Sequence, residues 1–281
     1  SGNAQLTADV QARSPFLAVD NEGCLPMHWA VRWGHTRCVR LLLGYSSTSA
    51  TTRIMTTCSD SVMGGTPVHY ASACGLIECF DLHYVSPNDY YCTTQDSDAH
   101  EPSGLTNSDI YLATDADGQT PAHWAALLNV AECIGTIARL LSVGDLMVGD
   151  RFGQNIAHLA ASMGNYDCIQ KMYALGVDSQ YLMAKDLKLR TPLHVVVSWP
   201  CCDIIMEHMH RSSQQNLIES QDNMGMTVLH LTVLCQRHTS VEMLRRIVTC
   251  WSRLEKLVHI RDNRGNTALD LCLAMHINEE A

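Results

Sequence analysis

Histidine can ligate a metal or move a proton near neutral pH, and this chain of 281 residues carries 14 of them. Six recur in similar surroundings: His28, His69, His123, His158, His194 and His230. Their separations of 41, 54, 35, 36 and 36 residues are unlike the short spacing of a metal-ligand set, which argues against a metal site. The densest potential ligand group is Cys201, Cys202, Glu207, His208 and His210. Cys201 and His208 could share a helix face, and such soft ligands suit zinc. No CxxC pair or HExxH accompanies them, which makes a chance grouping in a Cys- and His-rich chain the preferred account. No P-loop or dinucleotide fingerprint occurs, and no Ser, His and Asp set stands out. The sequence therefore reads as a non-enzyme with no catalytic residues, no metal and no cofactor.

The six histidines sit inside a repeated frame: GCLPMHWAV at 23–31, GGTPVHYAS at 64–72, GQTPAHWAA at 118–126, GQNIAHLAA at 153–161, LRTPLHVVV at 189–197 and GMTVLHLTV at 225–233. A seventh copy, GNTALDLCL at 265–273, has Asp270 in the histidine position. Threonine before proline fixes a helix start, because proline at the first helical position forfeits no bond and threonine can accept one from an orphan amide. Small residues follow, such as Ala71 and Ser72, and then a glycine such as Gly75 that permits the turn into a second helix. Each unit thus reads as helix, turn, helix.

This frame resembles the ankyrin repeat, whose T-P-L-H-x-A core is specific at this copy number. The resemblance implies an all-α solenoid of stacked helix-turn-helix repeats with β-hairpin-like loops, about six full repeats plus caps. The expected boundaries are repeats near 20–45, 61–85, 115–144, 150–178, 186–212 and 222–250, with a capping unit at 262–276. Residues 1–19 are read as a tag remnant followed by an N-terminal cap, and 277–281 as a tail. Two stretches exceed the repeat, 46–60 and 86–109. The first is rich in Ser and Thr, and the second carries Asp89, Asp96, Asp98, Glu101 and Asp109. Both are read as insertions, either binding loops or tolerated solvated ones.

Composition agrees with an ordered, core-forming chain, 46% hydrophobic and 17% charged. No apolar run is long enough for a membrane segment. Cys38, Cys79, Cys133 and Cys168 each lie ten residues after a repeat histidine, which marks them as small buried hydrophobes and favours a reducing, intracellular and cytoplasmic setting. Residues 1–140 hold 6 Arg, no Lys and 14 acids, a net of -8, whereas residues 141–281 hold 13 bases and 15 acids, a net of -2. That sign argues against nucleic acid and suits a basic partner segment for the N-terminal half.

In ankyrin-like proteins the positions just after the histidine, and four and five residues after it, face a binding groove. The resemblance thereby implies partner contacts at Trp29, Arg32, Trp33, Tyr70, Trp124, Leu128, Met163 and Trp199, with the turn residues adding polar contacts. Four of the five tryptophans fall on those positions, and tryptophan is enriched at interface hot spots. The implied role is a protein-interaction scaffold or adaptor that binds a basic or apolar partner segment. The alternatives are a regulatory ankyrin portion of a larger channel, acyltransferase or other enzyme, and a zinc-dependent module built on Cys201 to His210.

Overall fold

Each helix start is built around the residue pair that the sequence marks. Thr66 has an extended backbone and Pro67 is the first residue of a helix that ends at Gly75, in the left-handed conformation with φ 78°. Glycine adopts that conformation without the Cβ penalty of other residues. The threonine hydroxyl lies 2.9 Å from His69 Nδ1, which accepts the Thr66 N–H at 3.1 Å. The histidine is thus the cap, and threonine orients it.

The computed structural model describes residues 15–44, 49–77, 106–177, 181, 183–211, 218–234, 242–245, 247 and 254–279. The described residues contain helices and turns and no strand. The chain divides into two compact units, Ser1–Leu146 and Met147–Ala281.

The first unit has a 3-10 turn at Pro15–Leu17 and helices α1 (Pro26–Arg32), α2 (Thr36–Gly44), α3 (Ser49–Thr57), α4 (Pro67–Cys74), α5 (Asn107–Tyr111), α6 (Pro121–Leu127), α7 (Ala131–Leu140) and α8 (Val143–Leu146). The histidine helices α1, α4 and α6 pack in sequence, each on the next, while α2 and α7 back onto α1 and α6. Ala71, Ala125 and Ala126 are fully buried, so the helices meet close to backbone distance. Behind them Cys133, Ile134 and Ile137 of α7 are buried, each of the larger side chains contributing roughly 1.5–3 kcal/mol by leaving water. Within 46–60, read from sequence as an insertion, Ser49–Thr57 is the helix α3; it packs on the Pro15–Leu17 turn, on α4 and on α5, with Met55 buried.

The second unit has α9 (Ile156–Met163), α10 (Tyr166–Ala174), α11 (Pro192–Val195), α12 (Trp199–Arg211), α13 (Val228–Leu234), α14 (Leu254–His259) and α15 (Ala268–Glu279). Here α9, α11, α13 and α15 pack in sequence, and α10 and α12 pack on each other behind them. Of the second expected insertion, residues 86–105 lie outside the described residues. Asp109 is described: its carboxylate accepts the Thr106 N–H at 2.8 Å and so caps α5.

Candidate interaction surface

His28, His69, His158, His194 and His230 are bonded on both ring nitrogens. Nδ1 accepts a backbone N–H three residues upstream, from Leu25, Thr66, Thr120, Thr191 and Thr227, and in the fourth repeat it lies 3.3 Å from the Asn155 nitrogen and 2.8 Å from Asn155 Oδ1. An Nδ1 that accepts a proton leaves the ring N–H on Nε2. That N–H reaches forward to a backbone carbonyl beside the next repeat: His28 to Gly65 at 3.1 Å, His69 to Gln119 at 2.9 Å, His158 to Arg190 at 2.9 Å, His194 to Ser220 at 3.0 Å and His230 to Asn266 at 3.1 Å. Each of these five rings caps its own helix and ties it to the following repeat. Burial is the main reason that His28, His158 and His194 titrate below the usual histidine range, and it takes His69 to about 4. Asp270 makes the inward half of this pattern, accepting from the Thr267 N–H at 2.9 Å.

Eight residues before the histidine stands an aspartate, nine in the second repeat: Asp20, Asp60, Asp115, Asp150, Asp186, Asp222 and, ahead of Asp270, Asp262. One carboxylate oxygen of each closes its own turn by accepting two backbone amides, as Asp150 does from Phe152 at 2.8 Å and Gln154 at 2.9 Å. The other oxygen takes whatever donor the repeat provides. Trp29 gives its indole N–H to Asp20 at 2.8 Å, Trp124 does the same to Asp115 at 2.8 Å, and Tyr70 gives its hydroxyl to Asp60 at 3.2 Å. Arg190 supplies Asp186 twice, at 2.9 and 2.7 Å.

These bonds decide what the aromatic residues can do. Trp124 is only 8% exposed and stands edge-on to both His69 and Tyr70, at centroid distances of 5.3 and 5.2 Å. Gly65 fits beside it because a Cβ there would lie 3.0 Å from the indole and 3.1 Å from Asp60 Oδ2. Trp124 is therefore a core residue, and Tyr70 and Trp29 are half-buried, with the Tyr70 hydroxyl bonded to buried Asp60 and the Trp29 indole N–H to the exposed Asp20 carboxylate. Five of the sequence-derived positions are exposed. On the first unit Trp33 is 67% exposed, beside the Arg32 guanidinium that lies 5.5 Å over the Trp29 ring, and Leu128 is exposed at the end of α6. On the second unit Met163 and Trp199 are exposed, and their sequence neighbours Gly164 and Ser198 approach so closely that a Cβ on Gly164 would lie 3.2 Å from Ser198.

The Cys and His group is dispersed by the fold. Cys201 and Cys202 are fully buried, with the Cys202 thiol against the Met206 sulfur at 3.6 Å, and burial pushes the Cys201 thiol up. The His208 ring lies on Tyr173 at a centroid distance of 4.2 Å, and Glu207 is exposed. The His210 side chain lies outside the described residues. Among the described residues, no three His, Cys, Asp or Glu side chains are gathered as a metal site.

Stacked helical hairpins, capped and tied by histidines and closed by aspartate turns, define a repeat protein. The family model described as ankyrin repeats (3 copies) matches residues 6–91 and 101–183, more than half of the sequence, and the chain belongs to the ankyrin-repeat family. It is 23% identical over 236 residues to the transient receptor potential cation channel subfamily A member 1 of Drosophila melanogaster, covering 82% of this chain and 17% of that protein. The Homo sapiens protein of the same name is 28% identical over 162 residues, covering 58% of this chain and 12% of its own length. The chain thus spans less than a fifth of these relatives. Among solved structures, the ankyrin repeat domain of Bcl-3, a member of the IkappaB protein family, superposes with TM-score 0.57 and 19% identity over 89% of this chain and 95% of that one. Among the described residues no helix is long and apolar enough to cross a membrane.

Proposed function

We propose that the chain is a protein-interaction scaffold or adaptor of the intracellular, cytoplasmic space, with the repeat limits read from the sequence, and that it binds protein partners through the exposed helix ends. The observation that carries this reading is Trp33, a tryptophan two-thirds exposed beside Arg32, which stacking within the unit does not use. With Leu128 it gives the first unit an apolar contact set in an acidic stretch, net -8 over residues 1–140, which suits a partner segment that is apolar with basic flanks. Met163 and Trp199 are separate exposed apolar side chains on the second unit. The nine described cysteines form no disulfide, in keeping with a reducing compartment.

The test is affinity capture from native lysate with the unaltered protein and with Trp33→Ala plus Leu128→Ala, compared quantitatively. Partners retained by the first and lost by the second, at an unchanged unfolding midpoint, support the reading; an identical captured set sinks it. The similarity to the two cation channel subunits supports a second reading, in which this chain is the regulatory ankyrin portion of a longer protein. Flanking gene sequence that encodes a catalytic or membrane-spanning segment would decide for it.

A further inference from the structure

We propose that the turn apices of the second unit form a membrane-contact strip, in which Phe152, Leu187, Leu189 and Met224 enter the headgroup region of an anionic bilayer while Lys185, Lys188 and Arg264 meet lipid phosphates. This face is distinct from the helix ends assigned to protein partners, and four observations lead to it.

The first is continuity. Successive apices are joined backbone to backbone, with the Leu187 N–H donating to the Phe152 carbonyl at 3.0 Å, Asn223 to Lys188 at 2.9 Å and Asn263 to Met224 at 2.9 Å. The apices therefore form one row. The second is exposure. All four apolar side chains stand out from that row, Leu187 with 74% of its surface in water. They sit on turn apices, from which apolar side chains can enter a headgroup region.

The third is charge. The aspartates of these turns, Asp150, Asp186, Asp222 and Asp262, are buried, each with one oxygen bonded to its own turn's amides, which leaves bases as the exposed charges of the turns. Arg190 is taken by Asp186, and Arg261 lies 3.9 Å from the Asp270 carboxylate. Lys185, Lys188 and Arg264 remain exposed along the row, and Arg151 lies over the Phe152 ring at 4.7 Å. The outward face is cationic although the whole chain is acidic, and local charge governs contact because salt screens beyond about 8 Å.

The fourth is strain. The equivalent position of every other described turn is a glycine in the left-handed conformation: Gly23, Gly64, Gly118, Gly153, Gly225 and Gly265. Leu189 holds the same conformation at φ 59°. A leucine there is disfavoured where glycine is free, and the fold gains no buried side chain in return, since Leu189 is exposed. A strained residue that displays an apolar side chain on this row marks it as functional.

The experiment is co-sedimentation of the full chain with vesicles of phosphatidylcholine alone and of phosphatidylcholine with roughly a third phosphatidylserine, at low and high salt. Binding to the anionic vesicles only, lost at high salt, is expected. Phe152→Asp with Leu187→Asp, and separately Lys185→Glu with Lys188→Glu, should each weaken it by roughly tenfold at an unchanged melting temperature. Leu189→Gly separates the site from the scaffold: it should weaken binding a few-fold without lowering the melting temperature. No sedimentation with the anionic vesicles, or equal binding to neutral ones, overturns the proposal. So does binding that the lysine pair abolishes and the apolar pair leaves intact, the signature of a surface for an acidic protein.

Discussion

Two tryptophans with the same sequence credentials have opposite roles. Trp33 ends a histidine helix with its ring in water, whereas Trp124 bonds Asp115 and packs on His69 and Tyr70. Removing the indole donor while keeping an aromatic ring leaves a carboxylate oxygen without its partner, so Trp124→Phe should cost about 1–3 kcal/mol in urea unfolding. Trp33→Ala should stay within about 0.5 kcal/mol, because an exposed side chain away from caps and pairs contributes little to stability. A larger loss at Trp33 than at Trp124 would contradict the assignment of core and surface. The distinction was within reach of the sequence. Asp20 and Trp29 lie nine residues apart, as do Asp115 and Trp124, and a carboxylate at a fixed distance from an N–H donor in two repeats hints at a bond. Position relative to the histidine gives the helix register. Which way a half-apolar ring leans depends on whether a buried acceptor waits for its polar end, and one repeat read alone does not reveal that.

At the scale of the element, the aspartate turn is constant and its second donor varies. Aromatic donors serve the first three repeats and Arg190 serves the fifth, but in the fourth repeat Asp150 Oδ2 is buried without a hydrogen-bond partner, and Leu159 holds the place of the tryptophans. Gln154 occupies the position that Arg190 occupies in the next turn, four residues after the aspartate. Gln154→Arg should therefore supply the missing bond as Arg190 does, and raise stability by roughly 0.5–1.5 kcal/mol in urea or thermal unfolding. An unchanged or lower midpoint would show that the orphan oxygen is satisfied in another way. The repeated helices were legible because Thr, Pro, His and Gly each carry a backbone reason for their position. Helix α3 was not: its Thr51, Thr52, Thr56 and Thr57 are poor helix formers, and the sequence reads as an inserted loop, binding or solvated. The helix forms because Met55 is buried against neighbours distant in sequence, and the Thr56 and Thr57 hydroxyls turn back to the Arg53 carbonyl at 3.2 and 2.7 Å. Tertiary burial outweighs propensity there.

Over the whole molecule, the histidine ties make stability depend on pH in a defined direction. The net charge of -10 would by itself hold protons on histidine, but burial is the largest influence on His28, His69, His158 and His194 and acts the other way. Geometry agrees, since an Nδ1 that accepts an amide proton has no place for a second one. Histidines with folded values below the unfolded value of about 6.5 bind fewer protons folded than unfolded, so their contribution is complete above that pH and is lost as pH falls through the folded values. For His69, which falls to about 4, the full loss is roughly 3 kcal/mol, a large part of a marginal stability. The turn carboxylates of Asp60 and Asp186 are held low, so they keep their contribution until the pH drops below the usual aspartate range. Between about pH 7.5 and about pH 5 the histidines dominate, and the urea midpoint should fall over that interval, with further loss below about pH 4 as the aspartates protonate. Because tied histidines lie in both units, the decline should be seen in the melting of each, and His69→Gln should flatten part of it while lowering the plateau. A midpoint unchanged across the interval would mean that these rings are not held neutral, and the account of histidine as the tie between repeats would fall with it.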